Sequence, residues 1–140
     1  MNILNKIIAT KKIEVANQKK KVSVSQLEKY TWFNRDCNSL TSNLIQENSS
    51  GVIAEFKQKS PSKGEINYKV KVEKVTKAYA DAGAAGLSVL TDFEYFGGNL
   101  VNLIRARESN PNIPILRKDF MIDTYQIIEA KAFGADVILL

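Results

Sequence analysis

The sequence contains no histidine. That absence removes Ser-His and Cys-His nucleophilic machinery and every His-ligated metal site, so any catalysis must rest on lysine and carboxylate side chains. Cysteine is nearly absent too. The one cysteine, Cys37, cannot form an internal disulfide, and no CxxC pattern is present to hold zinc, which leaves Cys37 as a passive small side chain. The apolar runs fall far short of a membrane span, and the N-terminus lacks the uninterrupted apolar segment of a signal peptide. A cytoplasmic protein without membrane contact is expected. No aromatic residues interleave with the N-terminal lysines, which argues against single-stranded nucleic acid as a partner.

What is present fits one soluble domain. At 140 residues, 44% hydrophobic and 25% charged, the chain can bury one core and requires no second domain. The net charge of +5 suits an anionic ligand or nucleic acid, but much of it sits on Lys11, Lys12, Lys19, Lys20 and Lys21. That grouping reads as a solvated helix face. The same helix opens with Ile3, Leu4, Ile7 and Ile8, whose spacing requires one buried face. Ser25 and Glu28 have the spacing of a capping box before a short second helix, and Leu40, Leu44 and Ile45 suggest a third. Residues 1–50 therefore read as a helical extension, an added layer over an edge or an end of the fold formed by residues 51–140.

From residue 51 the pattern changes. Val52, Ile53, Ala54 and Phe56 form a short apolar run that reads as a buried strand, yet Glu55 and Lys57 sit in and just after it. Alternation puts these two on the same face at the strand's end. A salt-bridged pair on a solvated strand end is the plain reading of such spacing; a functional pair is the other. Ser60-Pro61-Ser62-Lys63-Gly64 then makes a polar, basic turn of the kind that positions phosphates or carboxylates.

A helix through Val72, Val75, Tyr79 and Ala80 ends near Gly83, and Gly86 to Leu90 is the next buried strand. After a loop with Tyr95, Phe96, Gly97 and Gly98, a helix through Leu100, Leu103, Ile104 and Ala106 leads to a strand opening at Ile113–Leu116. Asp123 can cap a helix through Ile127, Ile128 and Phe133, and Val137 to Leu140 is a fourth strand. Alternating strands and helices imply a parallel sheet with right-handed crossovers, and Ala82-Gly83-Ala84 and Phe133-Gly134-Ala135 mark equivalent corners of copied βα units.

Such a rhythm fits a doubly wound sheet or part of an eight-stranded βα barrel. A barrel draws its functional groups from the C-terminal ends of several strands, as Glu55, Lys57 and Lys118 would be. No GxGxxG turn follows the first strand, which disfavours a dinucleotide fold. The expected fold is α/β: about four βα units of a TIM (βα)8 barrel, preceded by the helical extension.

Ala54-Glu55-Phe56-Lys57 with Ser60-Pro61-Ser62-Lys63-Gly64, Ser88-Val89-Leu90-Thr91 with Tyr95-Phe96-Gly97-Gly98, and Leu116-Arg117-Lys118-Asp119-Phe120 together resemble indole-3-glycerol phosphate synthase of tryptophan biosynthesis. The likeness covers essentially the whole chain. It implies ring closure of 1-(2-carboxyphenylamino)-1-deoxyribulose 5-phosphate with loss of carbon dioxide and water, a small anionic sugar-phosphate substrate, and no metal or organic cofactor. Lys118 matches the family's catalytic lysine, and Lys57 a second lysine that binds the substrate's anionic groups. Glu55 would orient both. Ser60, Phe96, Phe120 and Leu139 match pocket positions around the phosphate or the anthranilate ring, although Phe96, Phe120 and Leu139 also suit an ordinary core. Arg117 and Asp119 alternate with Lys118 and read as structural ions facing the helix layer.

The sequence departs from the family's pattern in length. Such a barrel takes roughly 250 residues, with phosphate held by the loops after its seventh and eighth strands. Those loops, a fifth-strand glutamate and a later asparagine and serine have no counterpart here, so the sequence reads as the N-terminal half of a synthase, inactive alone. It is expected to self-associate or to need the complementary half. Two other classes compete: a sugar-phosphate isomerase or epimerase on the same barrel, and a half-barrel that only associates.

Overall fold

The computed structural model describes residues 2–140. Asn2 caps the first helix, α1 (Ile3–Lys21), by accepting the Asn5 amide at 2.8 Å. Its buried residues are Ile7, Lys11 and Val15, one per turn on a single face. Lys11 therefore corrects the expectation of a solvated lysine face: it is 3% exposed, whereas Lys12, Lys19, Lys20 and Lys21 are exposed. Burial is possible because three carboxylates surround its ammonium, a partner set invisible to local charge counting.

The second helix, α2 (Val24–Leu27), starts earlier than Ser25 and Glu28 suggest. Its capping box is formed by Ser23 and Gln26, each side chain bonding the other's amide, at 3.2 and 2.7 Å. Ser25 lies inside this short helix and Glu28 ends it. The third helix, α3 (Leu40–Ile45), is capped by Ser39.

Four parallel strands follow: β1 (Ile53–Phe56), β4 (Gly86–Leu90), β5 (Ile115–Lys118) and β6 (Val137–Ile138), in the spatial order β1-β4-β5-β6. Between them run α4 (Val72–Asp81), α5 (Val101–Ser109) and α6 (Tyr125–Ala132). The outer face carries Phe56, Leu87, Val89 and Ile115, which pack with Val72, Leu103, Ala106 and Ala130 of the helices. The inner face carries Glu55 opposite Ser88, with Leu116 and Lys118 beside them. This is a portion of a (βα)8 barrel, and its sheet is open at β1 and β6.

Openness explains two further departures. The first strand reads as buried, but Val52, just before it, and Ile53, on its inner face, are exposed, and β1 is an edge of the sheet. The fourth strand is only Val137–Ile138, with Leu139 and Leu140 beyond it. The turn after β1 also contains a small antiparallel pair, β2 (Lys59–Ser60) with β3 (Gly64–Glu65). Strands of two residues are too short to leave a period in the sequence. At α6 the cap position falls on Thr124, and Asp123 instead accepts the Tyr125 amide at 2.8 Å.

The one expected core is two clusters meeting at Phe133. In the second, Val15 and Leu27 of α1 and α2 pack on Tyr125 and Ala132 of α6, and the Tyr125 hydroxyl donates to the Val22 carbonyl at 2.7 Å. The opposite end of the sheet is tied by Arg107 and Asp136, both fully buried. Arg107 donates to Asp136 and to the carbonyls of Gly134, Asn110, Pro111 and Ile113. Asp136 accepts the Ile115 amide and, from the extension, the Asn38 amide, each at 2.9 Å.

Candidate active site

Glu55 is the inner-face residue next to the end of β1, and the sheet register sets it opposite Ser88. Its Oε2 accepts from the Ser88 hydroxyl at 3.0 Å and from Lys118 Nζ at 3.3 Å, while Lys57 Nζ lies 3.4 Å from Oε1. One carboxylate thus holds two ammonium groups, from the ends of two different strands, at the C-terminal side of the sheet. Burial alone would push the Glu55 carboxyl up, but the Ser88 hydroxyl, Lys118 and Lys57 outweigh it and hold the group below its ordinary value. All three residues remain partly open to solvent, so the lysines can meet a ligand.

Beside this set lies a cavity of about 510 Å³, lined by Lys57, Ser60, Pro61, Ser62, Lys63 and Phe96 with Phe120 and, from α1, Ile3, Leu4 and Ile7. The Phe96 and Phe120 rings stand 6.1 Å apart at 37°. Ser60 is buried and accepts the Lys63 amide at 3.2 Å, so it braces the hairpin as well as lining the space. Gly97 and Gly98 shape the loop behind Phe96. Gly97 has φ +64°, and a side chain on Gly98 would overlap the Leu90 carbonyl. Six of the seven residues singled out in the sequence therefore stand at or beside one space. Leu139 does not: it is 48% exposed past the end of β6 and does not line the cavity.

Behind the inner face lies a second set of charges. Arg117 is buried, with Nη1 2.9 Å from Glu129 of α6 and Nη2 3.2 Å from Asp119. Both residues face away from Lys118, as the alternation requires. Asp119 also accepts from Thr91 at 2.6 Å and lies 3.0 Å from Lys11, which is 2.7 Å from Asp92. Burial alone would raise the Asp119 carboxyl, but Arg117, Lys11 and Thr91 hold it below its usual value. The sequence reading missed Ser88, Lys11 and Asp92. Ser88 could have been found as the one polar residue inside an apolar strand, and Lys11 as the one charge in the Ile7–Val15 stripe.

A parallel sheet backed by helices, with lysines and a carboxylate gathered at its strand ends, is the arrangement of (βα)8-barrel enzymes, and this chain carries four of the strands. Its sequence matches the family described as indole-3-glycerol phosphate synthase over residues 4–140. Proteins of that name from Bacteroides thetaiotaomicron, Neisseria meningitidis and Polynucleobacter asymbioticus are 43%, 44% and 44% identical to it. Each alignment covers 99% of this chain but only 53%, 54% and 55% of the relative. The chain belongs to the indole-3-glycerol phosphate synthase family. It spans about half the length of the curated relatives it matches.

Proposed function

We propose that the chain supplies one half of an indole-3-glycerol phosphate synthase active site, acting on 1-(2-carboxyphenylamino)-1-deoxyribulose 5-phosphate in the cytoplasm. The observation that carries this reading is the Glu55 carboxylate bridging Lys57 and Lys118 beside a cavity walled by Phe96 and Phe120. When the aromatic ring carbon attacks the ribulose carbonyl, negative charge builds on the carbonyl oxygen. Lys118 is the proton donor to that oxygen. Lys57 holds the substrate's anionic groups, Glu55 orients both ammonium groups, and the two phenylalanines flank the anthranilate ring. Ser60 and the basic hairpin lie toward the phosphate, and Leu139 joins the pocket only when further strands cover β6. Carbon dioxide then leaves from the ring carbon that carried it, and water is lost to give the indole. Residues 2–50 form an extension whose first helix walls the cavity, and residues 51–140 are the barrel portion.

The test mixes or joins the chain with the C-terminal half of the Bacteroides thetaiotaomicron relative and follows formation of indole-3-glycerol phosphate. The combination should turn over, and the chain alone should not, because a barrel's phosphate loops come after its seventh and eighth strands. A combination that assembles, binds a reduced N-aryl amino sugar phosphate and still makes no product would defeat the reading. Failure to bind that analogue at all would leave only an associating half-barrel.

Open edges carry a separate expectation. Val52, Ile53, Leu139 and Leu140 are exposed along β1 and beyond β6, where backbone groups lack a neighbouring strand. The chain alone should therefore self-associate. Sedimentation should report dimers or larger species at micromolar concentration; a well-folded monomer there would refute it.

A further inference from the structure

We infer that Lys11 is a positioning residue: its ammonium, reaching from α1 to Asp92 and Asp119, sets the backbone that aims Phe96 and Phe120 into the cavity. Lys11 Nζ lies 2.7 Å from Asp92 Oδ1 and 3.0 Å from Asp119 Oδ1, with Glu14 at 2.6 Å on its outer side. Each inner carboxylate in turn holds the backbone of one ring. Asp92 Oδ2 accepts the amides of Tyr95 and Phe96 at 2.9 and 3.3 Å, and Asp119 Oδ1 accepts the Phe120 amide at 2.8 Å. The two loops that carry the rings come from the ends of β4 and β5, and a single cation from a helix preceding the barrel fastens both.

The two carboxylates depend on Lys11 unequally. Asp119 keeps Arg117 and Thr91 as partners, whereas Asp92, itself fully buried, has Lys11 as its only cation among the described residues. A buried carboxylate stripped of its cation is left uncompensated and moves toward water, which weakens its hold on the Tyr95 and Phe96 amides. Loss of Lys11 thus disturbs Phe96 more than Phe120. The neighbouring turn of α1 reinforces the geometry: Thr10 Oγ1 meets the Tyr95 hydroxyl at 3.1 Å, and Ile3, Leu4 and Ile7 form the cavity's far wall. That the rings flank an aryl group rests on the function proposed above; that Lys11 sets them does not.

The experiment labels the six phenylalanines with nitrogen-15 in this chain and compares the parent with Lys11→Met, Lys11→Gln, Lys11→Arg and, as a control, Val15→Ala. Val15 anchors the same helix through the second apolar cluster and supplies no charge or hydrogen bond to the network. In Lys11→Met the Phe96 amide should shift upfield and exchange about tenfold faster with solvent, as expected for weakening a bond to a charged acceptor. Phe120 should change less, and Phe56 and Phe133 hardly at all. Lys11→Arg should restore the Phe96 signal, and Lys11→Gln should decide the matter where the Met variant does not fold.

Binding separates positioning from anchoring. In the chain joined to the relative's C-terminal half, affinity for the reduced N-aryl amino sugar phosphate should fall about tenfold in Lys11→Gln, while affinity for ribitol 5-phosphate, which lacks the aryl group, stays as in the parent. Unmoved Phe96 signals in a folded Lys11→Met or Lys11→Gln chain overturn the inference. So does a Val15→Ala chain that moves them equally, since Lys11 would then only hold the helix. A parent chain that, joined to the relative's C-terminal half, binds no N-aryl ligand counts against the proposed function, and the Phe96 amide still decides the role of Lys11.

Discussion

Arg107→Met should leave the chain mostly unfolded at room temperature. Arg107 is fully buried, and its guanidinium spends its donors on four backbone carbonyls and on Asp136. Those carbonyls belong to the end of α5, to the loop leading into β5, and to the corner after α6, so one side chain joins the segments that enter two neighbouring strands. Methionine fills part of the volume but strands a buried carboxylate and removes every one of those bonds. Breaking a buried ion pair from one side costs about 3–5 kcal/mol. The total stability of a domain is about 5–15 kcal/mol, and an open sheet sits at the low end. Asp136→Asn should be milder, because an amide oxygen still accepts from the Ile115 amide and from Arg107. Urea unfolding followed by circular dichroism measures both. A midpoint for Arg107→Met within error of the parent would contradict this account.

The second large effect concerns the reaction. In the chain joined to a relative's C-terminal half, Lys118→Met should reduce the single-turnover rate by about 10²–10⁴-fold, the range for loss of a general acid. Substrate affinity should fall far less, since the charge Lys118 meets develops only as the ring closes. Lys57→Met should behave in the opposite sense, weakening equilibrium binding more than it slows the bound complex. Glu55 stays anchored in either variant, because Ser88 and the remaining lysine still hold it. The measurement is single-turnover kinetics beside an equilibrium titration for each variant. A Lys118→Met enzyme that binds poorly yet reacts at the parent rate would transfer the donor role to Lys57.

Much of this arrangement was legible in the sequence because it depends on short-range periods. Glu55 and Lys118 stand out as charges on strands, and alternation alone assigns Arg117 and Asp119 to the opposite face. The helices from α3 to α6 lie close to where their apolar spacing puts them. Lys11 was misread for the converse reason. Its partners Asp92 and Asp119 are supplied by distant loops, and a lysine among lysines has the local signature of a wet surface. β1 was misread as buried because Val52 and Ile53 have the composition of an interior strand; composition records what a strand is suited to pack against and says nothing about whether a neighbour is present. Ser23 was passed over for Ser25 because both precede a glutamine or glutamate at a plausible distance, and only the backbone turn distinguishes them.

The tie between Asp136 and the extension also sets a schedule. Arg35 and Asn38 find their partners at Ala135 and Asp136, about a hundred residues later in the chain. At typical ribosomal speeds that interval lasts on the order of 5–20 s. Throughout it, Arg35 and Asn38 lack these partners, and Val15 and Leu27 lack Tyr125 and Ala132 of α6. The extension is thus fastened at this end only after the strands it covers have been made.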